Sequence, residues 1–224
     1  MTKVTWGMLL VLAMAIPASA GVIGSPTDPA YLNTMLIDPT AAVAFVDGST
    51  LTSFSGGGLT VDLAPGQGAQ WYNDGYGPAS DAVLFSTDNT GANYISSLTL
   101  EFSGPVTVFG FQAIPNDLFQ AFNITANFYS SSDGTGTALD TITLSPTGGY
   151  DPNTGMFTGW NFFGAQDAAI GSVVISTDDV AGPNDGGGMI ISELHYGTPE
   201  PSTSLLLAAG LLGLGLVSRR SLAR

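Results

Sequence analysis

Between residues 21 and 198 the chain holds neither lysine nor arginine, and it has no cysteine anywhere. No Asp/Glu–Lys/Arg ion pair can form inside that segment and no disulfide can brace it. Its fold must therefore rest on apolar burial and backbone hydrogen bonding. The segment carries 17 acidic residues, the chain's 18 less Glu200. Such a surface has no cation with which to neutralise phosphate, which excludes nucleic acid as a partner. It also repels anionic head groups and acidic polymers. The charged partner it admits is a cation.

Within the segment, short apolar runs are broken by Gly, Asn, Asp and Ser. Strands are expected over 42–46, 51–54, 59–63, 98–102, 106–114, 121–129, 137–144, 157–163, 172–176 and 189–196. Leu98, Leu100 and Phe102 alternate with Thr99 and Glu101, the period-2 mark of a half-buried strand. Residues 106–114 are apolar at both parities, which predicts a central strand covered on both faces. Phe122, Ile124, Ala126 and Phe128 face one way and Asn123, Thr125 and Asn127 the other. Asp133-Gly134-Thr135-Gly136 supplies a hairpin turn after them. Residues 31–37 read as a short helix or an edge segment. The expectation is an all-β fold, a single jelly-roll-like β-sandwich over 21–198, with no second domain.

The two ends are addresses. Lys3, an apolar stretch over 4–16 and the small-x-small site Ala18-Ser19-Ala20 predict a signal peptide over 1–20, cleaved before Gly21 after engaging the Sec export machinery. Residues 199–224 begin with Pro199-Glu200-Pro201, run through an apolar span at 205–217 and end with Arg219, Arg220 and Arg224. A spanning helix needs about 20 residues. The 13 of 205–217, or 17 over 202–218, predict a transient membrane helix stopped by the arginines at its cytoplasmic end. Gly210, Gly213 and Gly215 would let another helix approach closely.

That order of motif, span and arginine tail resembles the PEP-CTERM sorting signal of bacterial exported proteins. The resemblance covers 198–224. It implies processing by an exosortase near Glu200, delivery to the cell surface or medium of a Gram-negative-type bacterium, and association with extracellular polysaccharide and biofilm.

Three groups of residues offer chemistry. Asp178-Asp179 with Asn184-Asp185 and Gly186-Gly187-Gly188 place three carboxylates and an amide in one loop, a donor set suited to calcium. Asp151-x-Asn153-x-Gly155 offers a smaller set. Neither completes an EF-hand, and both also read as ordinary turn chemistry. Gln70-Trp71-Tyr72-Asn73-Asp74-Gly75-Tyr76 combines Trp71, Tyr72 and Tyr76 with polar groups, as a sugar platform would, and Trp160-Asn161 offers a second one. The same rings would equally serve to cover the end of a sandwich. Catalysis has the least support. His195 is the only histidine and no Gly-x-Ser-x-Gly elbow is present. Glu101 and Glu193 would serve a glycosidase only if the fold brought them together. The expectation is a non-enzymatic exported protein with no cofactor beyond calcium.

Overall fold

The computed structural model describes residues 21–37, 46–72, 76–78, 82–179 and 187–198. Both terminal addresses lie outside these, as does most of the strand expected at 42–46. The described chain forms fourteen strands and no α-helix. They are β1 (Gly21–Ile23), β2 (Met35–Leu36), β3 (Ser49–Leu51), β4 (Ser53–Gly56), β5 (Leu59–Leu63), β6 (Gln67–Tyr72) and β7 (Val83–Asp88). The second half of the chain supplies β8 (Ser97–Pro115), β9 (Ile124–Tyr129), β10 (Asp140–Leu144), β11 (Gly149–Asp151), β12 (Met156–Thr158), β13 (Asn161–Thr177) and β14 (Met189–Gly197).

Twelve of these strands share one antiparallel hydrogen-bonded network, and β11 and β12 pair separately. The network folds into two layers because β8 and β13 are long enough to belong to both. The first half of β8 pairs with the end of β13 and with β5, giving the order β10-β9-β13-β8-β5-β4. The second half of β8 pairs with the start of β13 and with β14, giving β1-β13-β8-β14-β7-β6-β3. Strand β2 adds to β14 at His195 and Tyr196. Strands that cross from one layer to the other through a bend make the corner of a sandwich. In β13 the bend coincides with register shifts between Gln166 and Ser172. In β8 it falls near Gly104-Pro105, where proline lacks a ladder donor.

The pleat records the crossing. In the first half of β8 the even positions Leu98, Leu100 and Phe102 enter the core, and in the second half the odd positions Phe109, Phe111 and Ala113 do. Strand β9 follows its sequence pattern, with Ile124, Ala126 and Phe128 fully buried. Between the layers lies one core, including stacked Phe111 and Phe163 with ring centroids 5.3 Å apart. Full burial of each large apolar side chain contributes about 1.5–3 kcal/mol. With no lysine or arginine available, this burial carries the fold.

The second layer is covered on its outer face too. Ile23, Tyr31 and Val108 form one small cluster there, joined by Ala30 and Phe162. Val83, Ile114 and Ile190 form another beneath the β11–β12 hairpin, with Phe157 and Trp160 packed against it. This double cover is why 106–114 is apolar at both parities. Two buried serine hydroxyls in the layers find partners. Ser86 Oγ donates to the Ile95 carbonyl and accepts from the Met189 amide, tying β7 to β14. Ser172 Oγ donates to the Ser131 carbonyl and accepts from the Gly134 amide. At Gly171 the backbone comes so close to the Ser130 carbonyl that an added Cβ would lie 2.6 Å from its oxygen.

The all-β sandwich and the strand at 59–63 stand as expected. Several boundaries differ. The runs at 98–102 and 106–114 are one strand, because the Gly104-Pro105 pair bends the ladder without ending it. The run at 157–163 is two strands parted at Gly159, whose φ of +84° places it in the left-handed region. Strand β6 takes in Gln70, Trp71 and Tyr72 of the aromatic stretch that reads in sequence as a glycine-rich loop, and β7 is not among the expected strands. Residues 31–37 are a turn followed by the short edge strand β2.

Candidate functional site

The outer face of the second layer carries an aromatic hollow of about 170 Å³. Antiparallel pairing of β6 with β7 sets Trp71 opposite Leu84 and Tyr72 opposite Val83. Adjacent residues of a strand face opposite ways. Trp71 therefore enters the core, where it is 1% exposed, while Tyr72 emerges outside beside Phe85. A ring buried to that degree presents no face to a ligand, so Trp71 belongs to the fold and not to a sugar platform.

Tyr72 and Tyr76 do come together, with ring centroids 6.3 Å apart. The other two walls are Phe85 and Phe157. Phe157 arrives on the β11–β12 hairpin, where it pairs with Tyr150, and its amide donates to the Tyr76 carbonyl at 2.9 Å. The hairpin turn uses Asp151, whose Oδ1 accepts from the Asn153 amide at 2.9 Å, with Gly155 at φ +76°. Those bonds hold the Asp151 carboxyl below the usual carboxylate range. The second calcium candidate is thus a turn that positions an aromatic wall. Trp160 donates its indole N–H to the Phe157 carbonyl at 2.9 Å and packs under the same hairpin. Around the hollow, Tyr76, Tyr94 and Tyr150 are exposed, at 37%, 36% and 41%. Burial, then the nearby Tyr94, Asp47 and Tyr76, push the Tyr72 phenol above its ordinary value.

At the first calcium candidate, Asp178 and Asp179 already hold protein groups. Asp178 Oδ1 accepts from the Asn123 amide and its Oδ2 from Asn123 Nδ2, both at 2.7 Å. Asp179 is 4% exposed and its Oδ2 accepts from the Asp117 amide at 3.2 Å. Burial first, then repulsion from Asp117 and Asp178, push its carboxyl up, against the opposing pull of that amide. Asp185 lies outside the described residues. Among the described residues no three His, Asp or Glu side chains gather as a metal site.

His195 stands beside the Tyr31 ring, centroids 5.1 Å apart, with Nδ1 3.2 Å from the Thr34 hydroxyl. Glu193 accepts from Gln112 Nε2 on the outer face of the second layer, and Glu101 pairs across from Asp62 in the first. The core separates the two carboxylates, so they do not flank a common substrate. Ala18, Ala20, Pro199, Glu200, Pro201, Arg219, Arg220 and Arg224 all lie outside the described residues, which end one residue past β14. Among the described residues no helix is long and apolar enough to cross a membrane.

Phe85, Phe157, Tyr94 and Tyr150 were not singled out by the sequence. The available signal was the pair Tyr150 and Phe157 flanking the Asp-Pro-Asn-Thr-Gly turn, the mark of a hairpin with facing aromatics.

The described part of the chain is thus an all-β domain with an aromatic hollow and no cationic side chain of lysine or arginine. The segment beyond its last strand gives the assignment. Residues 198–220 match the family model of the PEP-CTERM protein-sorting motif. The chain carries that motif, which marks it as an exported protein sorted to the surface by an exosortase. No curated protein matches the chain. Among solved structures, it is similar to the enzymatically active domain of tailspike protein 4 of bacteriophage CBA120, with 16% identity and a TM-score of 0.31. That alignment covers 63% of this chain and 19% of the tailspike chain, a likeness too low to define a shared fold.

Proposed function

We propose that this is a non-enzymatic surface or matrix protein of a Gram-negative-type bacterium, associated outside the cell with exopolysaccharide. The observation that carries the reading is the sorting motif at 198–220, which begins one residue after the last strand. The signal peptide engages the Sec channel, 205–217 pauses in the inner membrane, and Arg219, Arg220 and Arg224 hold the cytoplasmic side. Exosortase action near Glu200 then frees or transfers the sandwich. The placement of Glu101 and Glu193 on opposite sides of the core supports a non-catalytic role.

The test is the intact mass of the protein recovered from the native cell surface and medium. A mass running from Gly21 to the Pro199-Glu200-Pro201 region supports the reading, with an added group pointing to attachment and a bare end to release. A mass that retains 205–224 overturns it. Tryptic mapping is of little use, because 21–198 offers trypsin no site.

A further inference from the structure

The hollow between Tyr72, Tyr76, Phe85 and Phe157 has properties that together select a ligand. Its lining is aromatic throughout. The four rings form a closed circuit, with neighbouring centroids 6.3, 5.2, 5.9 and 5.7 Å apart in the order Tyr72–Tyr76, Tyr72–Phe85, Phe85–Phe157 and Tyr76–Phe157. Three of the four contacts are steep, at 78°, 72° and 71°. Rings set at such angles make walls, not a flat platform. Around them lies a domain with 17 carboxylates and no lysine or arginine.

Each class of ligand meets these facts differently. An anion finds no cation and a field of its own sign. A sugar wants a broad flat face and hydrogen-bonding groups for its hydroxyls, whereas these walls offer steep rings and only two phenols. A neutral apolar group gains burial but nothing from the charge. A small organic cation gains all three terms: its methyl groups are buried, its charge faces ring quadrupoles, and the surrounding acids attract it from solution. We propose that the hollow binds a quaternary ammonium group, held by cation–π attraction to Tyr72, Tyr76, Phe85 and Phe157 within the field of an all-acidic domain. The site is open to solvent through the exposed Tyr76 edge. It stands independently of the polysaccharide reading, because it rests on the hollow and not on where the protein is delivered.

The experiment titrates the exported protein at low salt with choline and, in parallel, with its uncharged isostere 3,3-dimethyl-1-butanol, following tyrosine ring resonances. Choline is expected to saturate and to perturb Tyr72 and Tyr76, with the isostere at least about fivefold weaker. Added sodium chloride should weaken choline and leave the isostere unchanged. Phe157→Leu keeps apolar volume but removes a ring, and should weaken choline by about fivefold. Tyr76→Leu, at a more exposed position outside the hairpin, repeats the test from a second wall. Equal affinity for choline and the isostere would overturn the proposal, leaving only an apolar hollow. So would the lack of saturation in the tens of millimolar, or a neutral oligosaccharide that perturbs the same rings while choline does not.

Discussion

The phenol of Tyr196 donates to the carbonyl of Gly57 at 2.7 Å, joining the last strand of one layer to the β4–β5 turn of the other. Tyr196 is 1% exposed, and Gly57 has φ +63° with room for an added Cβ only 3.0 Å from that phenol oxygen. Tyr196→Phe should destabilise the domain by about 1 kcal/mol, since the bond between the layers is lost. Gly57→Ala should lose about 1 kcal/mol or more, from the left-handed backbone alone. Urea melts of the two variants measure both. An unchanged midpoint for Tyr196→Phe would mean the bond adds nothing between the layers.

Trp71 and Tyr72 are neighbours in sequence with opposite fates. Trp71→Ala empties a fully buried site and should destabilise by about 3–5 kcal/mol. Tyr72→Ala acts on a half-buried ring and should cost about 1–2 kcal/mol. Comparable losses for the two would contradict the placement of β6.

Asp178 uses both carboxylate oxygens on Asn123. Asp178→Ala should therefore destabilise by about 1 kcal/mol, and in a double-mutant cycle Asn123→Ala should remove only the Nδ2 part of that coupling, because the backbone donor stays. Because those oxygens are already engaged, millimolar calcium should leave the melting temperature of the native protein where it is. A ligand that prefers the folded state must raise it, so a clear upward shift would reinstate the metal.

Asp179 gives a pH dependence of definite sign. Burial raises its folded carboxyl above the unfolded value of about 3.9, so the native state binds the proton more tightly. As pH rises through that interval the unfolded state sheds its proton first, and stability falls. Asp179→Asn keeps an oxygen for the Asp117 amide and removes the ionisation. The variant should match the native protein below about pH 3.9 and gain on it as pH rises. A gap that instead widens toward acid would reverse the assignment.

Sorting can be tested apart from the fold. Replacing Pro199, Glu200 and Pro201 with alanine should leave the domain folded and the tail attached, seen as a heavier protein retained with the membrane. Normal processing of that variant would remove the role given to the motif.

How far the residues announced this molecule depends on whether the signal was local. Leu59–Leu63 alternates within a single strand, and its ends stand where the pattern put them. The Asp133-Gly134 turn was legible because its chemistry is contained in four residues, with Asp133 Oδ1 accepting from the Thr135 amide. The union of 98–102 with 106–114 was not, since Gly104-Pro105 looks locally like an end and only the partner β13 shows it to be a bend. Strand β6 was hidden because Trp71 and Tyr72 both suggest a binding loop until the pleat divides them. The hollow was the least legible feature. Phe157 lies 72 positions beyond Phe85, and nothing short of the folded hairpin brings the two rings to 5.9 Å.

The place of β14 has a bearing on timing. It is the last of the described strands, yet it sits inside its layer, between β8 and β7. A chain threaded outward from its N-terminus delivers this strand after every other, with the sorting motif immediately behind it. Until then β7 and β8 present raw edges to one another, and the domain cannot close. On the proposed route, completion of the sheet and arrival of the tail at the membrane are nearly one event, and the order of the chain would keep an unfinished domain from being cut loose.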